Sequence, residues 1–349
     1  MLRFRVSRRS NRSFQEIVLL IMFRKKRLVL YVCSLLLLWL GWRVDLWAAL
    51  ACLGGGIFLL SLIKVFHIIR DHLWMTKLSA QAAYRFEAME AALPEPAQPR
   101  PWKFVVLGDT RNNTQMAGIL YEKAGSLNPV MVFHTGDIVR GGTASELLQK
   151  HVRVFEKHLG TVPLFCIPGN HERGPRRNYA AFKTLYGDDK FSFVYDDCLF
   201  IGFNNCHAKY VTDEDLHFLE EALATARKHK FVFTHIPPAF FEASFVKDER
   251  RRGFTKNEEA FQALLCKHGV DEVFYAHIHG YATLVRDGVR HTLTAGGGAP
   301  LSHRIVEENR HFHLIQMEVC PDTVRGTLML YEDGTWSERA IPEESSSVG

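Results

Sequence analysis

"FVVLGD", residues 104–109, is a short β-rich apolar run that stops at a glycine and a carboxylate. Such a run reads as a buried strand, and a single terminal aspartate would be ordinary loop polarity. The pattern recurs. Val130–Phe133 leads to Gly136-Asp137, Leu164–Ile167 to Pro168-Gly169-Asn170-His171, Phe231–Phe233 to Thr234-His235, and Val273–Tyr275 to Ala276-His277. Five apolar runs in series, each ending in a carboxylate, amide or imidazole, are not explained by loop polarity. Helical stretches at 145–159 and 213–228 lie between several of them. The pattern therefore predicts an α/β fold whose polar residues gather at the carboxyl ends of the strands, where such sheets bind ligands. "FSFVYDDCLFIGF" (191–203) alternates as paired strands do.

With 349 residues and 47% hydrophobic content the chain can build one large domain or two ordinary ones. Its net charge of +5 is concentrated at one end: residues 1–27 hold nine Lys/Arg against the single acid Glu16, and the remainder is slightly acidic. No basic stripe is left for nucleic acid. Two uncharged runs follow, Leu28–Trp42 and Leu46–Ile63, separated only by Arg43-Val44-Asp45. A spanning helix takes roughly 20 apolar residues, with about 17 a practical minimum, so the first run is short and the second adequate. The expected organisation is a basic tail (1–27), a transmembrane helical hairpin (28–69), a juxtamembrane helix and Pro-rich linker (70–101), an α/β domain (102–342) and a short tail (343–349). A single longer anchor is the alternative. A cleaved signal peptide lacks its small-residue site after the first run.

Orientation follows from charge. Nine Lys/Arg precede the first run, Arg43 alone occupies the turn, and Lys64, Arg70 and Lys77 follow the second. The positive-inside rule then puts both hairpin ends, and the α/β domain, in the cytoplasm at an inner or plasma membrane. A single anchor would put the domain outside. The seven cysteines form no C-x-x-C pair and suggest free thiols rather than a disulfide or zinc framework. His151, His158, His229 and His291 belong to no motif and are expected at helix ends or on the surface.

Gly108-Asp109, Gly136-Asp137, Gly169-Asn170-His171-Glu172, His235 and His277-Ile278-His279 together resemble the ordered motif series of the calcineurin-like metallophosphoesterases, across roughly residues 103–300. The resemblance implies a four-layer α/β/β/α sandwich with a dinuclear metal centre at the strand ends. It implies a hydrolase acting on a phosphomonoester, phosphodiester or pyrophosphate, with a phosphorylated small molecule or lipid as substrate. Two divalent ions about 3.5–4 Å apart suit that chemistry, because they neutralise phosphoryl oxygens, activate water and stabilise the leaving group. Asp137 is the candidate bridge, Asp109 and His279 would hold the first ion, and Asn170, His235 and His277 the second. This donor set suits Mn, Fe, Zn or Ni. If 277–279 is extended, His277 and His279 share a face and one strand end feeds both ions.

His171 resembles the family's catalytic histidine, which contacts phosphate and protonates the leaving oxygen. Glu172 either orients it or is an acid at a helix N-terminus. The first motif departs from the usual Gly-Asp-x-His, reading Gly108-Asp109-Thr110-Arg111. An arginine cannot ligate a metal, so the first ion is weakly held or completed by Asn112, Asn113 or water. Arg111 either grips a phosphate oxygen or packs outward. His279-Gly280-Tyr281 and "TAGGGAP" (294–300) resemble features of the purple acid phosphatase branch. The alternative to an enzyme is a metal-poor relative that binds phosphorylated ligands or serves as a membrane docking module.

Overall fold

The computed structural model describes residues 46–96, 101–248, 250 and 252–342. The chain divides into two units, 1–70 and 71–349. Among the described residues the second unit carries twelve strands: β1 (Trp102–Leu107), β2 (Met131–His134), β3 (Leu164–Cys166), β4 (Lys190–Tyr195), β5 (Cys198–Phe203), β6 (His229–Phe233), β7 (Glu272–Tyr275), β8 (Tyr281–Arg286), β9 (Val289–Thr294), β10 (Phe312–Val319), β11 (Val324–Glu332) and β12 (Thr335–Ala340). They form two six-stranded sheets, ordered β12-β11-β10-β1-β2-β3 and β4-β5-β6-β7-β9-β8. β1, β2 and β3 run parallel in the first sheet. β5, β6, β7 and β9 run parallel in the second. The five strands recognised by their polar termini thus all lie in these parallel cores, which brings like ends together.

Aromatic rings join the two sheets face to face. Phe133 of β2 stacks on Phe233 of β6 with centroids 4.1 Å apart, Phe165 of β3 on Phe193 of β4 at 4.5 Å, and Phe104 of β1 meets Phe200 of β5 edge-on at 5.3 Å. All but Phe193 are at most 1% exposed. Truncating any one to Ala would cost about 3–5 kcal/mol on general experience with buried aromatics. Thr114–Ser126 packs on β10 and against Arg153–His158, while Asp213–Leu223 packs on β5 and beside Glu258–Lys267. The result is a mixed α/β sandwich of two sheets with helices against each.

Local structure departs from the sequence reading in four places. The helix expected at 145–159 begins in a Thr143/Glu146 capping box but passes through a π-helical Leu147–Val152 before Arg153–His158. The helix expected to reach 228 stops at Leu223, because the chain must straighten for β6, whose His229 N–H donates to Asp197 O. The juxtamembrane helix expected within 70–101 is the end of a longer helix, Leu46–Ser79, followed by a 3-10 turn at Ala82–Tyr84 and a short helix, Phe86–Ala91. Arg85 is extended there, which turns Phe86 onto Tyr186 and Phe191 at 5.9 and 5.0 Å. His151, His229 and His291 are buried rather than on the surface, with Tyr186, Asp271 and Tyr275 as their partners.

Leu28–Trp42, the first arm of the expected hairpin, lies outside the described residues. Among the described residues no helix is long and apolar enough to cross a membrane. In Leu46–Ser79, Ile57, Phe58, Leu59 and Leu60 are each more than half exposed, as are Phe66, Ile68 and Ile69 further along.

Candidate metal centre

Each strand terminus turns sharply where its polar residue begins. Asp109, Asp137 and His277, which follow β1, β2 and β7, all have left-handed backbone, with φ of 61°, 51° and 74°. Non-glycine residues rarely adopt this region, and each such residue stores about 1–3 kcal/mol of strain that its surroundings must hold. Hydrogen bonds hold it here. Asp109 N–H donates to Gly136 O at 3.0 Å, Arg111 N–H to Asp137 O at 2.9 Å, and Ala299 N–H to Asp109 O at 2.8 Å. Gly169 shows how closely the termini approach: a Cβ there would lie 2.3 Å from both Asp137 N and Asp137 Oδ1. No other residue fits without moving one of the two loops.

The turn at His277 corrects the extended reading of 277–279. β7 ends at Tyr275, and His277 N–H donates to Asp109 Oδ2 at 3.1 Å. The two histidines therefore diverge because a carboxylate from the other sheet captures the backbone between them and β7. His279 Nε2 lies 3.3 Å from Asp109 Oδ1, while the His277 ring sits edge-on to that of His235 with centroids 5.3 Å apart.

Asp137 is central. Its Oδ1 lies 3.5 Å from His235 Nε2 and accepts the His171 N–H at 3.0 Å. Its Oδ2 lies 3.8 Å from His171 Nε2 and 4.0 Å from Arg111 Nε. Burial favours the neutral acid, but the His235 and His171 side chains and the His171 amide outweigh it and hold the carboxyl below its usual range. Burial and the neighbouring His235 push His277 down to about 3, so it is neutral and able to ligate. Burial also opposes a charge on His279, but Asp109 outweighs it and raises the imidazole above its ordinary value.

Three imidazoles share one arrangement. His235 Nδ1 meets Thr135 O at 2.8 Å, His171 Nδ1 meets Arg140 O at 2.7 Å, and His279 Nδ1 meets Pro300 O at 2.7 Å. Each carbonyl holds a proton on Nδ1 and turns Nε2 into the centre, which is how ligating histidines are oriented. The donor set fits a divalent cation. Among the described residues, Asn170 Oδ1, His235 Nε2 and Asp109 Oδ1 are buried without a hydrogen-bond partner, and such atoms are costly unless something binds them. Asp109, Asp137 and His279 each place a ligand atom within 4.8 Å of the other two.

Other expectations resolve differently. Glu172 does not orient His171, and no helix begins at it. Its Oε1 accepts Val139 N–H at 2.9 Å and its Oε2 accepts Gly169 N–H at 2.7 Å, tying the two loops together. Burial and the Asp137 charge push its carboxyl up to about 8. Asn112 and Asn113 do not face the centre: Asn112 Nδ2 donates to Glu146 Oε1, and Asn113 caps Thr114–Ser126 while donating to Gly298 O. Arg111 does not pack outward. Its Nη2 is 2.5 Å from His171 Nε2 and its Nη1 is 3.3 Å from His279 Nε2. The sequence reading missed the carbonyls of Thr135, Arg140 and Pro300, for which no side-chain signal exists.

Comparison with known proteins places this geometry. A family model described as calcineurin-like phosphoesterase matches residues 103–281. A search of the curated proteins finds no match. Among solved structures, the fold is similar to that of the purple acid phosphatase PPD1 from yellow lupin (Lupinus luteus) seeds, at TM-score 0.55 and 17% identity, over 70% of this chain and 54% of that one. It is also similar to GAP50, described as the anchor in the inner membrane complex of Plasmodium, at TM-score 0.53 and 13% identity, over 71% of this chain and 90% of that one. The chain thus spans about half the length of the lupin enzyme.

Proposed function

Because the chain belongs to the calcineurin-like phosphoesterase family, we propose that it is a metal-dependent hydrolase of phosphate ester or pyrophosphate bonds, anchored to a membrane. The convergence of Asp109, Asp137, Asn170, His171, His235, His277 and His279 at the strand ends carries this reading. Asp137, Asn170, His235 and His277 would hold the tighter divalent ion, and Asp109, Asp137 and His279 bring a second set of ligand atoms together beside Arg111. A bound divalent ion supplies Lewis acidity toward a phosphoryl oxygen and makes water a better nucleophile. The protein's own groups do the rest. Asp137 fixes the distance between the two halves of the centre, and Arg111 presents a planar fork suited to phosphoryl oxygens. His171 aims Nε2 into the same space, where a proton is needed by the departing oxygen.

Protein purified without chelator is expected to contain Mn, Fe, Zn or Ni by elemental analysis, and to hydrolyse a chromogenic phosphodiester or monoester. Chelation should abolish turnover and added Mn restore it. Absence of bound metal together with no response to Mn would remove the hydrolase reading. The second reading, a docking module that binds phosphorylated ligands, is favoured only by Arg111 lying where a ligating residue would serve catalysis better.

The membrane proposal draws on the apolar helix. Ile57, Phe58, Leu59 and Leu60 are consecutive and 58–67% exposed. Consecutive helical residues step by about 100°, so these four point to every side of the axis, and a helix apolar all round needs an apolar environment. With nine Lys/Arg before Leu28, a Leu28–Trp42/Leu46–Ile63 hairpin would leave the domain cytoplasmic, within reach of phosphorylated headgroups on the inner leaflet. Reporters fused after Gly349, one active only in the cytoplasm and one only outside, test this. Activity of the cytoplasmic reporter alone is expected. Activity of the exported reporter alone would replace the hairpin with a single anchor and exclude an inner-leaflet substrate.

A further inference from the structure

We infer that the Arg111 guanidinium is itself the second cation of the centre, so that the chain binds one divalent ion where two would otherwise be expected. The inference rests on the phosphoesterase reading for what the centre is used for, but its evidence is the placement of one side chain. Arg111 is held by its backbone. Its φ of 43° is left-handed, its N–H donates to Asp137 O at 2.9 Å, and Asn112 N–H donates to Ile138 O at 3.3 Å. Thr110 Oγ1 adds a bond to the same carbonyl at 2.9 Å. This zipper between 110–112 and 137–138 directs the side chain inward, where it is only 23% exposed.

The guanidinium stands among the side chains that the second ion would need. His279 Nδ1 meets Pro300 O, and its Nε2 lies 3.3 Å from Asp109 Oδ1 and 3.3 Å from Arg111 Nη1. His171 Nδ1 faces Arg140 O, and its Nε2 lies 2.5 Å from Arg111 Nη2. Asp137 Oδ2 lies 4.0 Å from Nε. Two of the three side chains in the Asp109/Asp137/His279 cluster are therefore already directed at a permanent cation. Arginine has no lone pair to offer a metal and does not lose its proton in proteins, so it competes with an ion there and cannot assist it. The other pocket differs. Asn170 Oδ1 and His235 Nε2, like Asp109 Oδ1, are buried without a hydrogen-bond partner among the described residues, which leaves these three atoms for one ion.

Charge agrees with this division. Two buried carboxylates, Asp109 and Asp137, are offset by one divalent ion, and the guanidinium leaves a single positive charge to receive a phosphoryl group. A second divalent ion would lie within a few ångströms of Arg111 with nothing further to neutralise it. A phosphoryl group would then bridge the ion and the arginine, with two of its oxygens on the planar fork.

The test is the metal stoichiometry of the full chain in detergent, stripped with chelator and dialysed against Mn. One Mn per chain, with the electron paramagnetic resonance spectrum of an isolated ion, is expected for the wild type. Arg111→His, which exchanges the cation for a neutral ligand, should double the Mn content and give a spin-coupled pair. Arg111→Lys, which keeps the charge without the fork, should still bind one. If Arg111→His does not fold, Arg111→Gln removes the charge alone and should admit the second ion at higher Mn. Two Mn in the wild type would overturn the inference, as would one Mn in a folded, uncharged variant at saturating Mn. Hydrolysis is measured separately. One Mn without turnover would reject the phosphoesterase reading and leave this inference standing, whereas two Mn with turnover would do the reverse.

Discussion

Asp137→Asn is expected to strip the protein of bound metal and to lower turnover on the order of 10³-fold or more, while circular dichroism remains that of the folded wild type. Three observations set the size of the effect. Asp137 is 2% exposed, it faces His235 and His171 through one oxygen and Arg111 through the other, and the two histidines hold its carboxyl below the usual range against burial. The amide keeps the volume, so the close approach of Gly169 survives. It removes the charge that both halves of the centre share. Several kcal/mol of charge stabilisation lost at the reacting phosphoryl group corresponds to at least three decades in rate. Elemental analysis and initial rates on one preparation check this. Metal content and rate both within threefold of the wild type would mean that Asp137 is a structural acid and that the centre has been placed wrongly.

His171→Ala is expected to lower turnover by about 10²–10⁴-fold on a substrate with a poor leaving group, the usual range for loss of a positioned proton donor. Metal content should stay near that of the wild type. Loss of rate should shrink on a substrate whose leaving group departs without protonation, such as a nitrophenolate. The asymmetry follows from geometry. His171 Nδ1 is committed to the Arg140 carbonyl, and Nε2 points at Arg111 and Asp137. The ring is a quarter exposed, unlike the buried unpartnered atoms of Asn170 and His235. Equal losses on both substrates would assign His171 to ligation or folding. A wild-type rate on the poor leaving group would remove it from the reaction altogether.

What the sequence made legible was the set of strand ends. Buried parallel strands have no solvent face, so they appear as unbroken apolar runs, and the polar residue after each run stands out. β1, β2, β3, β6 and β7 were all found this way. β10 was not, although it pairs antiparallel with β1 from Trp102↔Val319 to Val106↔Ile315. That pairing joins segments some two hundred residues apart, and nothing local announces it. The direction of a side chain was also hidden. His277 and His279 read as neighbours on one face until the Asp109 carboxylate was seen to capture His277 N–H. Arg111 read as ambiguous because its inward course depends on bonds to Asp137 O and Ile138 O, and carbonyl positions are a property of the folded loop. Glu172 was misread for the same reason, since its partners are backbone amides of Val139 and Gly169.

The left-handed backbone at Asp109, Asp137 and His277 bears on any attempt to make this protein hardier. Replacing a strained non-glycine residue with glycine or asparagine is among the first moves in stabilising an enzyme, and three of the best-placed targets here are residues the centre depends on. A screen that rewards thermal tolerance alone would favour relief at these positions, because each releases strain that the surrounding loops now absorb. The survivors would melt later and do less, a trade between robustness and activity often seen where function needs an uncomfortable conformation. Stabilising libraries for this chain therefore belong on the outer helices, with residues 108–112, 136–139 and 276–280 left as they are.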